Sequence, residues 1–176
     1  MIWPYIMAGD HVITDPEKMN KYKPERKRLR LAHFNYASPK HVYFLTLCAN
    51  SRRLPFNNPD LAKGIIGSLN YQRQKNQIKL YCYCLMPDHL HLLLSPDVGI
   101  DIPEVIKRFK TFTTTLSWKL DFKGKLWQRS YYDHIVRKRE ELLKVCEYIL
   151  DNPVKNGLVE EQGGWPYSGT PDPLLR

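Results

Sequence analysis

Apolar positions along the chain follow two periods, and the alternation between them predicts a mixed fold. Val42 to Ala49 (VYFLTLCA) is short, β-branched and aromatic, and it is bounded by Pro39 and the polar Asn50-Ser51-Arg52-Arg53, as a central strand should be. Asn58-Pro59 supplies a capping residue and a proline suited to a first helical turn. Leu61, Ile65, Ile66 and Leu69 then follow at helical spacing. Ile78 to Met86 and His89 to Ser95 read as two strands joined through Pro87-Asp88 into an antiparallel hairpin. Asp101 and Glu104 form a capping-box pattern ahead of Val105, Phe109, Phe112 and Leu116, which predicts a second helix. Leu126 to Arg137 reads as a fourth strand, and Glu140 to Asn152 as a third helix stopped by Pro153.

The order strand, helix, strand, strand, helix, strand implies an α+β fold of the ferredoxin-like βαββαβ kind. It predicts a four-stranded antiparallel sheet with two helices on one face, followed by an added C-terminal helix that bears Tyr148. A chain of 176 residues, 43% hydrophobic, is long enough for one cored domain and short for two. The expected division is an irregular basic extension over 1–30, the domain over 31–152 and a tail over 153–176. Met19 opens the basic segment and is an alternative start.

The chemistry concentrates in Tyr81 to Ser95, YCYCLMPDHLHLLLS. His89 and His91 are two apart on a strand and therefore share a face, inside a run that is otherwise apolar. Two partly desolvated imidazoles need a partner, and a bound cation supplies one. Cys82 and Cys84 share a face by the same rule, and read as buried strand cysteines rather than zinc ligands. In the third helix a wheel centres the apolar stripe near Leu142, Leu143, Cys146, Ile149 and Leu150, and puts Tyr148 roughly 160° away from it. Asn152 lies one turn beyond Tyr148 and Lys144 one turn before it. A phenol with a pKa of about 10 needs activation to attack at neutral pH. The expected site therefore has Tyr148 as nucleophile, with His89, His91 and the Asn152 amide oxygen as metal ligands and Lys144 either on phosphate or stabilising phenolate. Two nitrogens and one neutral oxygen suit Mg²⁺ or Mn²⁺, with zinc as the alternative.

Charge sharpens the choice of partner. The 27 Lys and Arg against 18 Asp and Glu give a formal +9, which favours a polyanion. Lys18 to Arg30 (KMNKYKPERKRLR) holds seven basic residues against one acid. Arg26, Lys27, Arg28 and Arg30 are its candidate phosphate contacts. Lys107, Arg108 and Lys110 on the second helix, and Arg129 and Arg137 beyond it, extend the same expectation to the domain. No run approaches the ~20 apolar residues of a membrane span, and the opening MIWPYIMAGD lacks the pattern of a cleavable signal, so a reducing cytoplasm and no membrane partner are expected.

YCYCLMPDHLHLLLSP resembles the histidine-hydrophobe-histidine strand of the single-tyrosine HUH transposases. LWQRSYYDHIVR, YILDNPVKNGLV and WPYSG together resemble more narrowly their REP-associated tyrosine branch, with the likeness running from about Arg28 to Ser168. The resemblance implies Mg²⁺- or Mn²⁺-dependent cleavage of single-stranded DNA near a palindromic hairpin in a bacterial, nucleoid-associated protein. It also implies attack by Tyr148 to leave a 5′-phosphotyrosine and a 3′-hydroxyl. Asn152 falls where insertion-sequence relatives carry glutamine. A monomer is expected from the REP-associated branch, with a homodimer that exchanges the tyrosine helix as the alternative. A non-catalytic module of the RNA-recognition type, with Tyr43 and Phe44 as a stacking platform, is the competing reading. A zinc hydrolase is third, for want of an acidic base beside the histidines.

Overall fold

The computed structural model describes residues 36–50, 54–75, 77–136 and 138–174. The expected basic arm, with Arg26, Lys27, Arg28 and Arg30, lies outside them, as does Arg137. The elements are β1 (Val42–Cys48), a 3-10 turn (Pro55–Asn57), α1 (Pro59–Gln74), β2 (Ile78–Leu85), β3 (His89–Pro96), α2 (Ile102–Lys119), β4 (Tyr132–Val136), α3 (Arg139–Lys155) and β5 (Ser168–Gly169). All pairings in the sheet are antiparallel, in the order β4-β1-β3-β2-β5. The βαββαβ expectation holds, with a fifth strand added at the β2 edge.

Both faces of the sheet are covered. Leu45, Leu47, Leu80, Leu90, Leu92 and Leu94 meet α1 and α2 on one face. Val42, Cys82, Cys84, Leu93 and Val136 meet Cys146 and Ile149 of α3 on the other. Strand parity alone would not put Leu80 and Cys82 on opposite faces. A bulge between them inserts one residue against β3 and reverses the alternation. Cys82 and Cys84 thereby join the face that carries His91. Among the described residues no helix is long and apolar enough to cross a membrane.

One local expectation holds and several are corrected. Asn58 caps α1, accepting from the Asp60 and Leu61 amides. Asp101 precedes α2 without a side-chain cap and the Glu104 carboxylate turns to Lys107 and Arg108 one turn on, so neither half of a capping box forms. The buried stripe of α2 includes Ile102, Val105, Ile106, Phe109, Thr113 and Ser117, leaving Phe112 57% exposed. Only Tyr132–Val136 of the predicted fourth strand is laddered. Residues 126–131 form a loop whose Trp127 makes an isolated bridge to Ala49. Pro153 does not stop α3: it removes one backbone donor near the end, while the last turn closes through Asn156 N to Asn152 O. Gly157, at φ 66°, ends the helix in the left-handed conformation that favours glycine.

The tail after α3 returns to the β2 edge. The Leu85 amide donates to Tyr167 O, and the Trp165 indole donates to Leu85 O. Asp172 accepts from the Leu80 amide at 2.8 Å and pairs with Arg73 at 2.7 Å. This run of bonds occupies backbone groups that an edge strand would otherwise present for pairing.

Candidate active site

β3 places His89 and His91 on the sheet face that α3 covers, with exposures of 7% and 2%. Each ring is held by its Nδ1. Asp88 Oδ1 lies 2.6 Å from His89 Nδ1, and Thr46 Oγ1 lies 2.9 Å from His91 Nδ1, Thr46 being the β1 residue in register with His91. The two Nε2 atoms converge at 3.1 Å. The His89 hydrogen bond keeps the Asp88 carboxyl below the usual carboxylate range, so this group stays an ionised acceptor. His89 Nδ1–H then donates to Asp88, which leaves Nε2 as the ring atom that faces His91. One Nε2 donates to the other, and the Thr46 hydroxyl follows the tautomer of His91, donating to its Nδ1 or accepting from it. Burial, reinforced by the neighbouring His89, pushes the His91 pKa well down and keeps its ring neutral.

This geometry fits a divalent cation. Two nitrogens bound at about 2.1 Å and subtending roughly a right angle are about 3 Å apart, and the observed separation is 3.1 Å. Releasing the shared proton requires His91 to carry its hydrogen on Nδ1, where Thr46 Oγ1 can accept it, because a hydroxyl serves in either direction. No group of three His, Cys, Asp or Glu side chains suited to a metal occurs among the described residues. Asn152 is buried on α3, and its Nδ2 donates to Tyr148 O at 2.7 Å. Its Oδ1 is therefore the atom it can offer. Cys84, in register with His91, directs its thiol to Met86 Sδ, and burial pushes it up to about 12.

Tyr148 is not on the outer face of its helix. Val145, Cys146, Ile149 and Asn152 face the sheet, Leu143 is 50% exposed, and half-buried Tyr148 sits at the rim of the packed stripe. Its ring centroid is 5.7 Å from that of His91 and 6.1 Å from that of Phe44, with edge-to-face geometry to both. The wheel misplaced it because it counted exposed Leu143 in the stripe and left out Val145 and Asn152, which are packed on the tyrosine's side of the helix. Lys144 is exposed, and the cation over the tyrosine ring is instead Lys155, at 5.5 Å. Sequence reading missed Lys155, Thr46, Asp88 and Phe44 as site residues. Two turns of helix join Lys155 to Tyr148, but strand register, invisible in a single sequence, brings Thr46 to His91.

The basic candidates divide. Lys107 and Arg108 pair with Glu104. Lys110 donates to Gln128 O and Ser130 O, and burial pulls its pKa down to about 8. Arg129 is exposed in the following loop. Tyr43 and Phe44 form no common platform, since neighbours on a strand face opposite ways: Tyr43 is fully buried under the helices and Phe44 lies against His91.

Residues 37–152 match the family of IS200-like transposases. A Haemophilus influenzae protein of no assigned function is 27% identical over 168 residues, covering 78% of this chain and 93% of its own length. A second Haemophilus influenzae protein, provisionally named a REP-associated tyrosine transposase, is 35% identical over 96 residues, which span 48% of this chain and 54% of that protein. In fold, the chain is similar to a REP-associated tyrosine transposase solved bound to a REP hairpin. The TM-score is 0.63 at 20% identity, over 79% of this chain and 82% of the other.

Proposed function

The chain belongs to the IS200-like transposase family, and on that premise we propose that it is a metal-dependent nuclease and strand transferase for single-stranded DNA, with Tyr148 as nucleophile. One observation carries the reading: two inward-facing histidine nitrogens 3.1 Å apart, each ring anchored through its other nitrogen, with the Tyr148 ring beside them.

His89, His91 and Asn152 would hold Mg²⁺ or Mn²⁺, and the bound ion supplies Lewis-acid polarisation of a phosphate oxygen. Asp88 and Thr46 fix the two rings, so the donor atoms need little reorganisation when substrate arrives. Tyr148 Oη attacks the scissile phosphorus, forming an O–P bond as the bond to the 3′-oxygen breaks. The phenol proton passes to solvent and the departing oxygen takes one up as a 3′-hydroxyl. The 5′-phosphotyrosine that remains keeps the phosphodiester energy, so another 3′-hydroxyl can reverse the step without a nucleotide cofactor. Lys155 brings positive charge to the side of the attacking ring.

The likeness to the hairpin-bound transposase and to the second Haemophilus protein supports a substrate folded as a palindromic hairpin. Four free cysteines suit a reducing cytoplasm, where the protein would meet DNA at the nucleoid. Histidine pair and tyrosine meet within one chain, which supports a monomer as the acting unit. The test is incubation of the full chain with end-labelled, hairpin-bearing single strands and Mn²⁺. We expect a denaturation-resistant protein–DNA adduct that disappears in Tyr148→Phe and falls at least a hundredfold in His89→Ala. Cleavage that persists in Tyr148→Phe, or strands left intact with Mn²⁺ and, in a parallel incubation, with Mg²⁺, overturns the mechanism.

A further inference from the structure

On the sheet face away from the histidines, the outer side of α2 and the loop over residues 120–131 enclose an open groove of about 300 Å³. Its floor is Leu126 and Trp127, both 5% exposed, and one wall is Trp118, 55% exposed. Lys125 and Arg129 stand at its rim as exposed cations, and among the described residues no carboxylate lines it. The segment from Lys119 to Arg129 holds four cations against Asp121 alone.

The groove is built rather than incidental. Backbone bonds fasten the loop to the end of β1, from Asn50 N to Leu126 O and from Gln128 N to Cys48 O, each within 2.9 Å. Lys110 braces it from beneath through Gln128 O and Ser130 O. The Trp127 indole donates to the buried Thr113 hydroxyl at 2.8 Å. The Trp118 indole N–H is spent on Gly124 O at 2.6 Å, which sets the plane of its ring and leaves an aromatic face as what it shows to solvent. The wall threonines 111, 114 and 115 donate their hydroxyls to helix carbonyls. What remains for a ligand is a fixed indole, an apolar floor and two exposed cations, the chemistry that binds an unpaired base and its flanking phosphates.

The groove also leads to the candidate active site. Three residues beyond Arg129, a span of about 10 Å in extended chain, Tyr132 opens β4. Tyr132 is 41% exposed, and its ring lies 6.3 Å from that of Phe44, which contacts both His91 and Tyr148.

We propose that this groove is a second binding site, for an unpaired stretch of the DNA strand that passes around the β4 edge to the tyrosine. The proposal rests on the reading of this chain as a DNA strand transferase, and extends it to a surface on the opposite side of the sheet.

The test is equilibrium binding of the full chain to fluorescent oligo(dT), measured against salt, with oligo(dT)·oligo(dA) duplex and heparin as comparison ligands. Trp118→Ala should weaken oligo(dT) binding by about tenfold, from loss of a stacked base, with the salt slope unchanged. Lys125→Ala with Arg129→Ala should lower that slope by about 1.4, from two lost phosphate contacts. Both substituted cations are exposed, so the second variant keeps the test independent of any folding defect in the first. Binding of oligo(dT) within twofold of the parent in either variant overturns the proposal. So does an equal loss for duplex or heparin, which would make the surface a general polyanion patch. The measurement needs no cleavage. A chain that binds oligo(dT) here and never forms an adduct fails the strand-transfer mechanism alone, whereas one that cleaves with oligo(dT) affinity insensitive to all three substitutions fails the groove alone.

Discussion

A threonine decides how the two histidines can be used. With His89 locked by Asp88, the direction of the proton between the two Nε2 atoms depends on whether Thr46 donates to His91 Nδ1 or accepts from it. Valine has nearly the same shape and can do neither. Thr46→Val should therefore leave the sheet intact while His91 loses the partner that selects its metal-ready tautomer. Loss of such an outer partner typically costs 10–100-fold in metal affinity, and that is the drop expected for Mn²⁺ by titration calorimetry. An unchanged affinity would show that packing against Phe44, whose ring lies 5.4 Å from that of His91, is enough to orient this side chain. The imidazole pair itself was legible from its spacing of two on an apolar strand. Thr46 was not, because its role comes from the register of β1 on β3 across 45 positions of sequence.

Among the elements, the returning tail is the one whose attachment pH can probe. Asp172 spans Arg73 of α1 and the Leu80 amide of β2, and the Arg73 hydrogen bond, aided by that amide, holds its carboxyl below the usual range. A depressed folded-state pKa means that the ionised group stabilises the attached tail. The contribution is complete above the unfolded carboxylate value of about 4 and is lost as pH falls through the lowered folded value. Asp172→Ala should remove it at every pH. It leaves the Leu80 amide without its side-chain acceptor, at a local cost of about 1 kcal/mol or more. Hydrogen exchange at Leu80 should then be faster in the variant at pH 7, and the difference from the parent should begin to shrink only as pH falls below about 4. Equal protection at pH 7 would mean that Trp165 and Tyr167 hold the tail without this latch. The two helices packed on the first face were readable from their periods, as were the three long strands. The fifth strand was not, since two residues carry no period. Nor was the bulge at β2, which reverses the facing of Cys82 and Cys84 through a backbone register that composition does not encode. Pro153 was overread: proline forbids one helical donor, and at the last turn of a helix whose sheet-facing side is already buried that loss is small.

At the scale of the whole molecule the question is whether the tyrosine and the histidines that meet in one chain also act within it. The packing of Cys146 and Ile149 against Cys82, Cys84 and Leu93 fixes α3 on its own sheet, and Tyr148 lies against its own chain's His91. An exchanged dimer would have to lift that buried stripe off one sheet and seat it on another. Light scattering should accordingly give the mass of one chain. The sharper measurement mixes two inactive proteins, Tyr148→Phe and His89→Ala. In a monomer each site carries one defect, so the mixture forms no more adduct than the two alone. In a dimer that exchanges α3, the intact tyrosine of the His89→Ala chain would sit beside the intact histidines of the Tyr148→Phe chain, and half of the mixed sites at the most would be restored. The mixture should stay inactive even after joint unfolding and refolding, which gives the chains every opportunity to exchange. Recovery of adduct after that step would show that the α3 interface is shared between chains, and that the arrangement within one chain is only one of two ways this sequence assembles the same site.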